Sequence, residues 1–144
     1  RFLDLKKVNN IADFGTGGGF PGIIIAIYND NASFHVKLYE KSPVKRDFLI
    51  NVKNKLNIKN LSIENNVYEK QIIADVIVAR AFKKLNEIIK ISREIVKKPH
   101  KIVVLKGKSA QLEINNVSLD SNYSYNLENS ITDYDSKIII VEVK

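Results

Sequence analysis

The chain has 144 residues and a net charge of +7, a length that suits one domain over residues 1–144 and leaves little room for two. Apolar residues make up 44% and charged residues 27% of the chain, which excludes a disordered protein, and no apolar run reaches the roughly 20 residues that span a bilayer. Without cysteine, disulfides and thiolate metal sites are excluded, and two isolated histidines argue against zinc, so we expect no bound metal.

The predicted elements begin with a short buried strand at 10–14, which runs into a cluster of glycines. Residues 22–27 are too apolar for a loop and predict a helix on a sheet. Residues 34–39 alternate as a second strand. Pro43 suits the first turn of a second helix, whose apolar stripe consists of Val44, Phe48, Leu49, Val52 and Leu56.

The second half of the chain continues the alternation and then changes. Strands are predicted at 61–63, 75–79 and 101–105, and a helix is marked by Leu85, Ile88, Ile89, Ile95 and Val96. The crossover at 67–73 is expected to hold a turn or two of helix at most. Two last strands, 123–127 and 138–143, have no helix between them. The order predicts a mostly parallel α/β sheet covered on both faces, ending in an antiparallel hairpin at the edge.

The glycine cluster reads Asp13-Phe-Gly15-Thr-Gly17-Gly-Gly19-Phe-Pro-Gly22, between a strand and a helix. Such a turn lets the backbone approach a ligand at the carboxyl edge of the sheet. From Gly17 the motif matches the dinucleotide fingerprint, but Pro21 then lies in the phosphate loop and has no N–H for a pyrophosphate. From Asp13 it resembles the first motif of S-adenosylmethionine-dependent methyltransferases, whose cofactor carries no phosphate.

Glu40 ends the second predicted strand, 23 residues after Gly17. An acid at this position typically hydrogen-bonds the hydroxyls of a ribose. A solvated loop acid is the alternative, and the strand context favours ribose binding.

Several segments together resemble one family, the bacterial methyltransferases of guanine N7 in small-subunit (16S) ribosomal RNA, also called glucose-inhibited division protein B. They are the segment from Asp13 to Gly22, then Glu40 with Lys-Arg-Asp-Phe-Leu at 45–49, Ala-Arg-Ala-Phe at 79–82, and Leu-Lys-Gly at 105–107. The resemblance implies a Rossmann-like class I methyltransferase fold, S-adenosylmethionine as cofactor, 16S ribosomal RNA or the small ribosomal subunit as partner, and no membrane.

The same resemblance implies roles for individual residues. Arg80 and Lys106, at the ends of the fourth and fifth strands, are expected to be the catalytic pair, serving cofactor or RNA. Where the family usually has Arg after the third strand, this chain has Asn66 beside Asn65, and before the last strand it has Ser136 and Lys137. The expected cofactor-binding residues are Asp13, Gly15, Thr16, Gly17, Gly19, Phe20, Glu40, Asn65, Asn66 and Arg80.

The predicted chemistry needs no catalytic His or Cys. Guanine N7 carries an unprotonated lone pair, so methyl transfer requires no general base. It requires N7 to be held roughly 3–3.5 Å from the methyl carbon, in line with the sulfur, on a base that is unpaired or flipped out of its stack.

The positive charge suggests RNA as a partner. However, 19 of the 23 cations are Lys, and the 16 Asn and 21 Ile also have A/T-rich codons, so genome composition is a second explanation. Lys41, Lys45 and Arg46 are equally consistent with an RNA-facing surface and with a solvated helix face. The start of the chain shows no signal peptide and no initiator Met, so we expect a cytoplasmic location and a missing N-terminal segment, which the family typically has as helices.

Three other functions stay open. One is a methyltransferase of the same fold acting on a small molecule or protein, since fold does not choose the substrate. The second is a nucleotide-binding oxidoreductase, against which the glycine register and Pro21 argue. The third is a non-catalytic RNA-binding remnant, which Asn66 and Ser136 leave open.

Overall fold

A computed structural model describes residues 3–29, 31, 33–68, 71–117 and 121–144. The elements of these residues are, in chain order, β1 (Asn10–Phe14), α1 (Gly22–Tyr28), β2 (His35–Tyr39), α2 (Pro43–Lys55), β3 (Leu61–Glu64), β4 (Val76–Arg80), α3 (Leu85–Ile95), β5 (His100–Lys106), α4 (Ala110–Asn115), β6 (Tyr123–Asn129) and β7 (Lys137–Val143). No helix in this part of the chain is both long and apolar enough to cross a bilayer.

The strands form one sheet in the order β3-β2-β1-β4-β5-β7-β6. The first five are parallel, and β7 pairs antiparallel with both β5 and β6. The chain leaves β1 toward β2 and later returns to the other side of β1 as β4. This reversal opens a crevice at the carboxyl ends of the strands, where ligands bind in such sheets. The predicted α/β sheet and its terminal hairpin are confirmed.

Two apolar cores cover the two faces of the sheet. On one face, α1 and α2 pack over Val36, Leu38 and Val78; on the other, α3 and α4 pack over Ile77, Ile102 and Ile139. Strands buried on both sides carry runs of apolar residues, as β4 and β5 do, because neither face meets water. The predicted apolar positions of α3 are all buried.

The apolar stripe on α2 is buried less than its pattern predicts. Leu49 is fully buried and Val52 half-buried, whereas Val44, Phe48 and Leu56 are exposed. The physical reason is the position of α2, which lies beside β3 at the edge of the sheet. An edge strand offers too little surface to cover a full helical stripe.

Two connections, the one after β5 and the crossover between β3 and β4, differ from the sequence-based expectation or lie partly outside the described residues. Helix α4 was not predicted, because its six residues bury only Ala110 and Ile114 and give a weak periodic signal. In the crossover at 67–73, no helix is found among residues 67, 68 and 71–73, and residues 69 and 70 lie outside the described part of the chain.

Candidate active site

The glycine turn after β1 is a left-handed backbone held against a ring. Gly15, Gly17 and Gly19 have φ of +66°, +59° and +95°, values that L side chains rarely adopt. A Cβ on Gly15 would also overlap Cδ2 of Phe82, so the ring sits directly on the turn. Beside Gly18 there is open space instead, and a Cβ on Gly17 would meet only the carbonyl oxygen of Gly15, at 3.9 Å. The turn is therefore packed where it begins and open at its tip.

Asp13 builds this turn from beneath rather than facing the crevice. Its Oδ2 accepts hydrogen bonds from Thr16 Oγ1 at 2.6 Å and from the Gly22 N–H at 2.9 Å. The side chain is fully buried, and no hydrogen bond to Oδ1 is found among the described residues. Burial raises the pKa of Asp13 to about 6, although the bonds from Thr16 and Gly22 and the charge of Arg80 oppose the rise.

The first two N–H groups of α1 are occupied inside the protein. The Gly22 N–H bonds Asp13 and the Ile23 N–H bonds the carbonyl of Gly19 at 2.7 Å. Pro21, the residue before the helix, has no N–H. A dinucleotide needs these donors for its pyrophosphate. The geometry therefore disfavours a phosphate at this turn and agrees with a phosphate-free ligand.

Glu40 joins the end of β2 to the glycine turn. Its Oε2 accepts the Gly17 N–H at 3.0 Å and its Oε1 accepts the Ser42 N–H at 2.9 Å, and the residue is 7% exposed. Each carboxylate oxygen keeps a second lone pair. The acid is thus fixed in place before any ligand arrives, on the wall of a cavity.

This cavity, about 410 Å³ in volume, opens at the carboxyl ends of β1 to β4. That size falls within the range of small-molecule sites, roughly 300–1,000 Å³. Its lining residues are Gly15, Tyr39, Glu40, Lys41, Lys45, Asn65, Asn66, Val67, Tyr68, Ala81, Phe82 and Lys83. A cavity at this edge is where the strand order predicts one.

An aromatic cluster forms the floor of the cavity. Phe14 meets Tyr39 and Phe82 edge to face, with ring centroids 5.8 Å and 6.0 Å apart. Ala81 brings Phe82 back onto the turn by adopting φ +51°, a sparsely populated conformation for a residue with a side chain. Burial raises the pKa of Tyr39 to about 12, with the charge of Glu64 adding to the effect, so its hydroxyl stays protonated.

Arg80 and Phe20 lie beside the cavity, not in its lining. Arg80, at the end of β4, is exposed, and its guanidinium carbon lies 5.9 Å from the centroid of the Phe20 ring. Phe20 is itself 48% exposed. A paired cation and aromatic ring therefore face solvent next to the glycine turn.

Lys106 is held by protein groups. Its Nζ donates to the carbonyl of Lys83 at 2.7 Å and pairs with Glu113 at 2.9 Å, while Glu113 also accepts the Leu85 N–H. Burial pushes the pKa of Glu113 upward, but the bonds from Lys106 and Leu85 outweigh it and lower the pKa. Lys106 therefore supports the loop that carries Lys83.

The predicted site residues divide into three groups. Gly15, Glu40, Asn65 and Asn66 line the cavity. Asp13, Thr16, Gly17 and Gly19 shape the turn through its backbone and internal bonds. Phe20, Arg80 and Lys106 lie outside the lining. The structure fixes these positions, and the functional roles of the residues stay predictions.

Sequence reasoning missed Tyr39, Val67, Tyr68 and Lys83 as lining residues. Each is the last residue of a strand or follows one by a few positions at the same edge of the sheet. Extending the prediction past every parallel strand would have found them, because all these strand ends meet at one edge.

Solved structures show which fold this is. A S-adenosylmethionine-dependent methyltransferase from Aquifex aeolicus matches 92% of the chain, and 80% of its own, with a TM-score of 0.71 at 13% identity. A methyltransferase-like protein from Escherichia coli, yhhF, matches 94% and 77% with a TM-score of 0.70 at 15% identity. The chain therefore has the Rossmann-like fold of the S-adenosylmethionine-dependent methyltransferases.

The particular family follows from sequence. The pattern of the GidB family, rRNA small subunit methyltransferase G, matches residues 1–138, and the chain belongs to this family. It is 39% identical over 108 residues to ribosomal RNA small subunit methyltransferase G 1 of Bdellovibrio bacteriovorus, covering 75% of this chain and 51% of the relative. The protein of Pelagibacter ubique is 32% identical, with 98% and 67% covered. The chain thus spans about half to two thirds of these relatives.

Proposed function

We propose that residues 1–144 form one methyltransferase domain that transfers the methyl group of S-adenosylmethionine to N7 of a guanine in 16S ribosomal RNA. The observation that carries the proposal is the cavity between the glycine turn and Glu40, beside a helix start where the Gly22 and Ile23 N–H groups are already bonded to Asp13 and Gly19. Such a site suits a nucleoside without phosphates, and the family of the chain supplies the reaction.

The lining residues fit this cofactor by their chemistry. The carboxylate of Glu40 is an acceptor for ribose hydroxyls, and Asn66, whose Oδ1 already accepts the Tyr68 N–H at 3.0 Å, has amide donors for the edge of a base. Phe82 and Val67 supply apolar wall. The open space at Gly18 lets a ligand lie against the backbone. When bound, S-adenosylmethionine supplies an electrophilic methyl group on a sulfonium.

The residues of the chain then act by binding and orienting. Guanine N7 needs no proton removed, so the reaction requires no general base among the lining residues. Holding the methyl donor and guanine N7 in line can lower the activation barrier by up to roughly 7–11 kcal/mol. Arg80 and Phe20, exposed beside the turn, are our candidates to hold the RNA on the acceptor side.

Three observations support RNA as the partner. The relatives are named for ribosomal RNA, the net charge is +7, and Lys41 and Lys45 are exposed on the cavity rim. We infer a cytoplasmic location from the same partner, since ribosomal subunits are assembled there.

The first test is titration of the purified protein with S-adenosylmethionine and separately with NAD by calorimetry, followed by methyl transfer to 16S RNA. We expect micromolar binding of the first ligand, none of the second, and label at a guanine N7. Binding of NAD instead would overturn the assignment of S-adenosylmethionine as the cofactor. Cofactor binding with label on a small molecule or protein, or RNA binding without any label, would overturn the substrate or the enzymatic role.

The second test is Arg80→Ala, with Arg93→Ala as a matched control. Both arginines are exposed and lie over an aromatic ring, but Arg93 lies over Tyr123, outside the lining of the cavity. We expect Arg80→Ala to lower methyl transfer by about 100-fold or more with the fold intact, because a phosphate or base contact is lost. Wild-type turnover in Arg80→Ala, or equal loss in both variants, would remove Arg80 from the mechanism.

A further inference from the structure

Arg46 is turned toward the protein, although its sequence context suggested either an RNA contact or a solvated cation. Its Nη1 lies 3.0 Å from the carbonyl oxygen of Glu40, 2.8 Å from that of Lys41 and 2.8 Å from Oδ1 of Asn65. The side chain is half-buried, whereas neighbouring Lys45 is exposed. Three oxygens thus share the two hydrogens of one guanidinium nitrogen, so this nitrogen is committed within the protein.

The three acceptors belong to residues of one cavity. Glu40, Lys41 and Asn65 all line it, the first two after β2 and the third after β3. Arg46 therefore connects the segment after β2 with the segment after β3, and these two segments form one wall of the site.

The connection begins where the sheet stops. The last register pair of β2 and β3 is Tyr39 with Glu64, and one further backbone bond runs from the Glu40 N–H to the Glu64 carbonyl at 3.1 Å. Beyond that point the next residues, Lys41 and Asn65, are joined through Arg46. The guanidinium thus extends the strand pairing by one residue at the place where the ligand would sit.

We propose that Arg46 is a positioning residue for the cofactor: it acts through Glu40, Lys41 and Asn65, and contacts neither cofactor nor RNA. This inference rests on the proposed function of the same cavity. Because both oxygens of Glu40 are already bonded to Gly17 and Ser42, the direction of its free lone pairs depends on the main chain at residues 40 and 41. Arg46 holds that main chain.

The test is Arg46→Gln, which keeps a polar side chain but loses the charge and the reach of the guanidinium. We expect the Kd and KM for S-adenosylmethionine to rise about ten-fold or more, the loss of a charge-assisted bond or two, while kcat at saturating cofactor stays within about two-fold. The affinity for RNA and its slope with salt should not change, because no phosphate contact is removed.

Two further variants separate positioning from general stability and from charge. Arg46→Lys keeps one donor for the two carbonyls and should recover part of the cofactor affinity. Lys55→Gln removes an exposed cation from the last turn of the same helix and should leave cofactor affinity unchanged. Equal cofactor affinity in wild type and Arg46→Gln, with weaker RNA binding and a shallower salt slope, would overturn the proposal and make Arg46 a phosphate contact.

The remaining outcomes are equally decisive. A kcat that falls while cofactor affinity holds would overturn the positioning role. If Arg46→Gln does not fold, Arg46→Lys carries the test alone, and unchanged or lowered KM in that variant would count against the proposal. Failure of the wild-type protein to bind S-adenosylmethionine would instead overturn the proposed function, and this inference with it.

Discussion

The two halves of the carboxyl edge hold their charges differently. At the ends of β1 and β2, the acids Asp13 and Glu40 are buried, and each accepts two hydrogen bonds, which come from the glycine turn, the first residue of α1 and the segment after β2. At the end of β4, Arg80 is exposed beside an exposed ring, and at the end of β5 Lys106 is paired with Glu113. The first half is therefore built before the ligand arrives, while the second leaves a cation free to meet a partner.

Under the proposed function, this difference suits one edge to two ligands. A small cofactor is bound well by a rigid, preformed wall, because little ordering entropy is lost on binding. A large polyanion is attracted by exposed cations, and its binding is sensitive to salt. Variants that disturb one half should thus leave the properties of the other half largely intact.

The largest expected effect is that of Gly15→Ala, which destabilises the half of the edge that contains the glycine turn. The new Cβ would overlap the ring of Phe82, and φ of +66° is unfavourable for alanine. Together, overpacking and backbone strain should lower the free energy of unfolding by about 2–5 kcal/mol, measured by urea denaturation. Gly18→Ala is the control, since a Cβ there meets nothing within 4 Å. Equal midpoints in the two variants would contradict the packing of Phe82 on the turn.

The second effect concerns pH and the buried acid of the same half. Burial raises the pKa of Asp13 from its ordinary value of 3.8 to about 6 in the folded protein. The folded state thus binds the proton more tightly, and the contribution of Asp13 to stability is full below about pH 4 and is lost as pH rises through about 6. The size of this loss is on the order of 3 kcal/mol.

Asp13→Asn cannot ionise and should escape that loss. Relative to wild type, its free energy of unfolding should improve between about pH 4 and pH 6 and then level off, whatever its absolute value, and chemical denaturation at several pH values measures this difference. A difference between the two proteins that is constant across this range would show that the acid is not desolvated.

The smallest effect tests the second half through Lys106 and Glu113. Their side chains are only 11% and 17% exposed, so their attraction is weakly screened. A double-mutant cycle with Lys106→Met and Glu113→Gln should give a coupling of about 1–2 kcal/mol in unfolding free energy. The exposed pair of Lys108 and Asp135 should show no measurable coupling in the same cycle. Equal coupling in both pairs would mean that burial adds nothing to the Lys106 pair.

The sequence by itself determined the parts that depend on local pattern. Alternating and continuous apolar runs identified the seven strands found in the described residues, because burial on one face of a sheet imposes alternation and burial on both faces imposes a continuous apolar run. The glycine turn and Glu40 were found because strand-end positions and left-handed glycines follow simple geometric rules. The family motifs at 79–82 and 105–107 also lie at the carboxyl edge of the sheet.

Only the tertiary structure decided which partner each charged side chain takes. Lys106 pairs with Glu113 because α4, a helix too short to be predicted, places Glu113 beside it. Arg46 is turned toward the protein because β2 and β3 end side by side. The exposure of Phe48 follows from the edge position of α2. These outcomes depend on which elements become neighbours, and a single stretch of sequence does not contain that information, since contacts between residues far apart in the chain are chosen by packing of the whole fold.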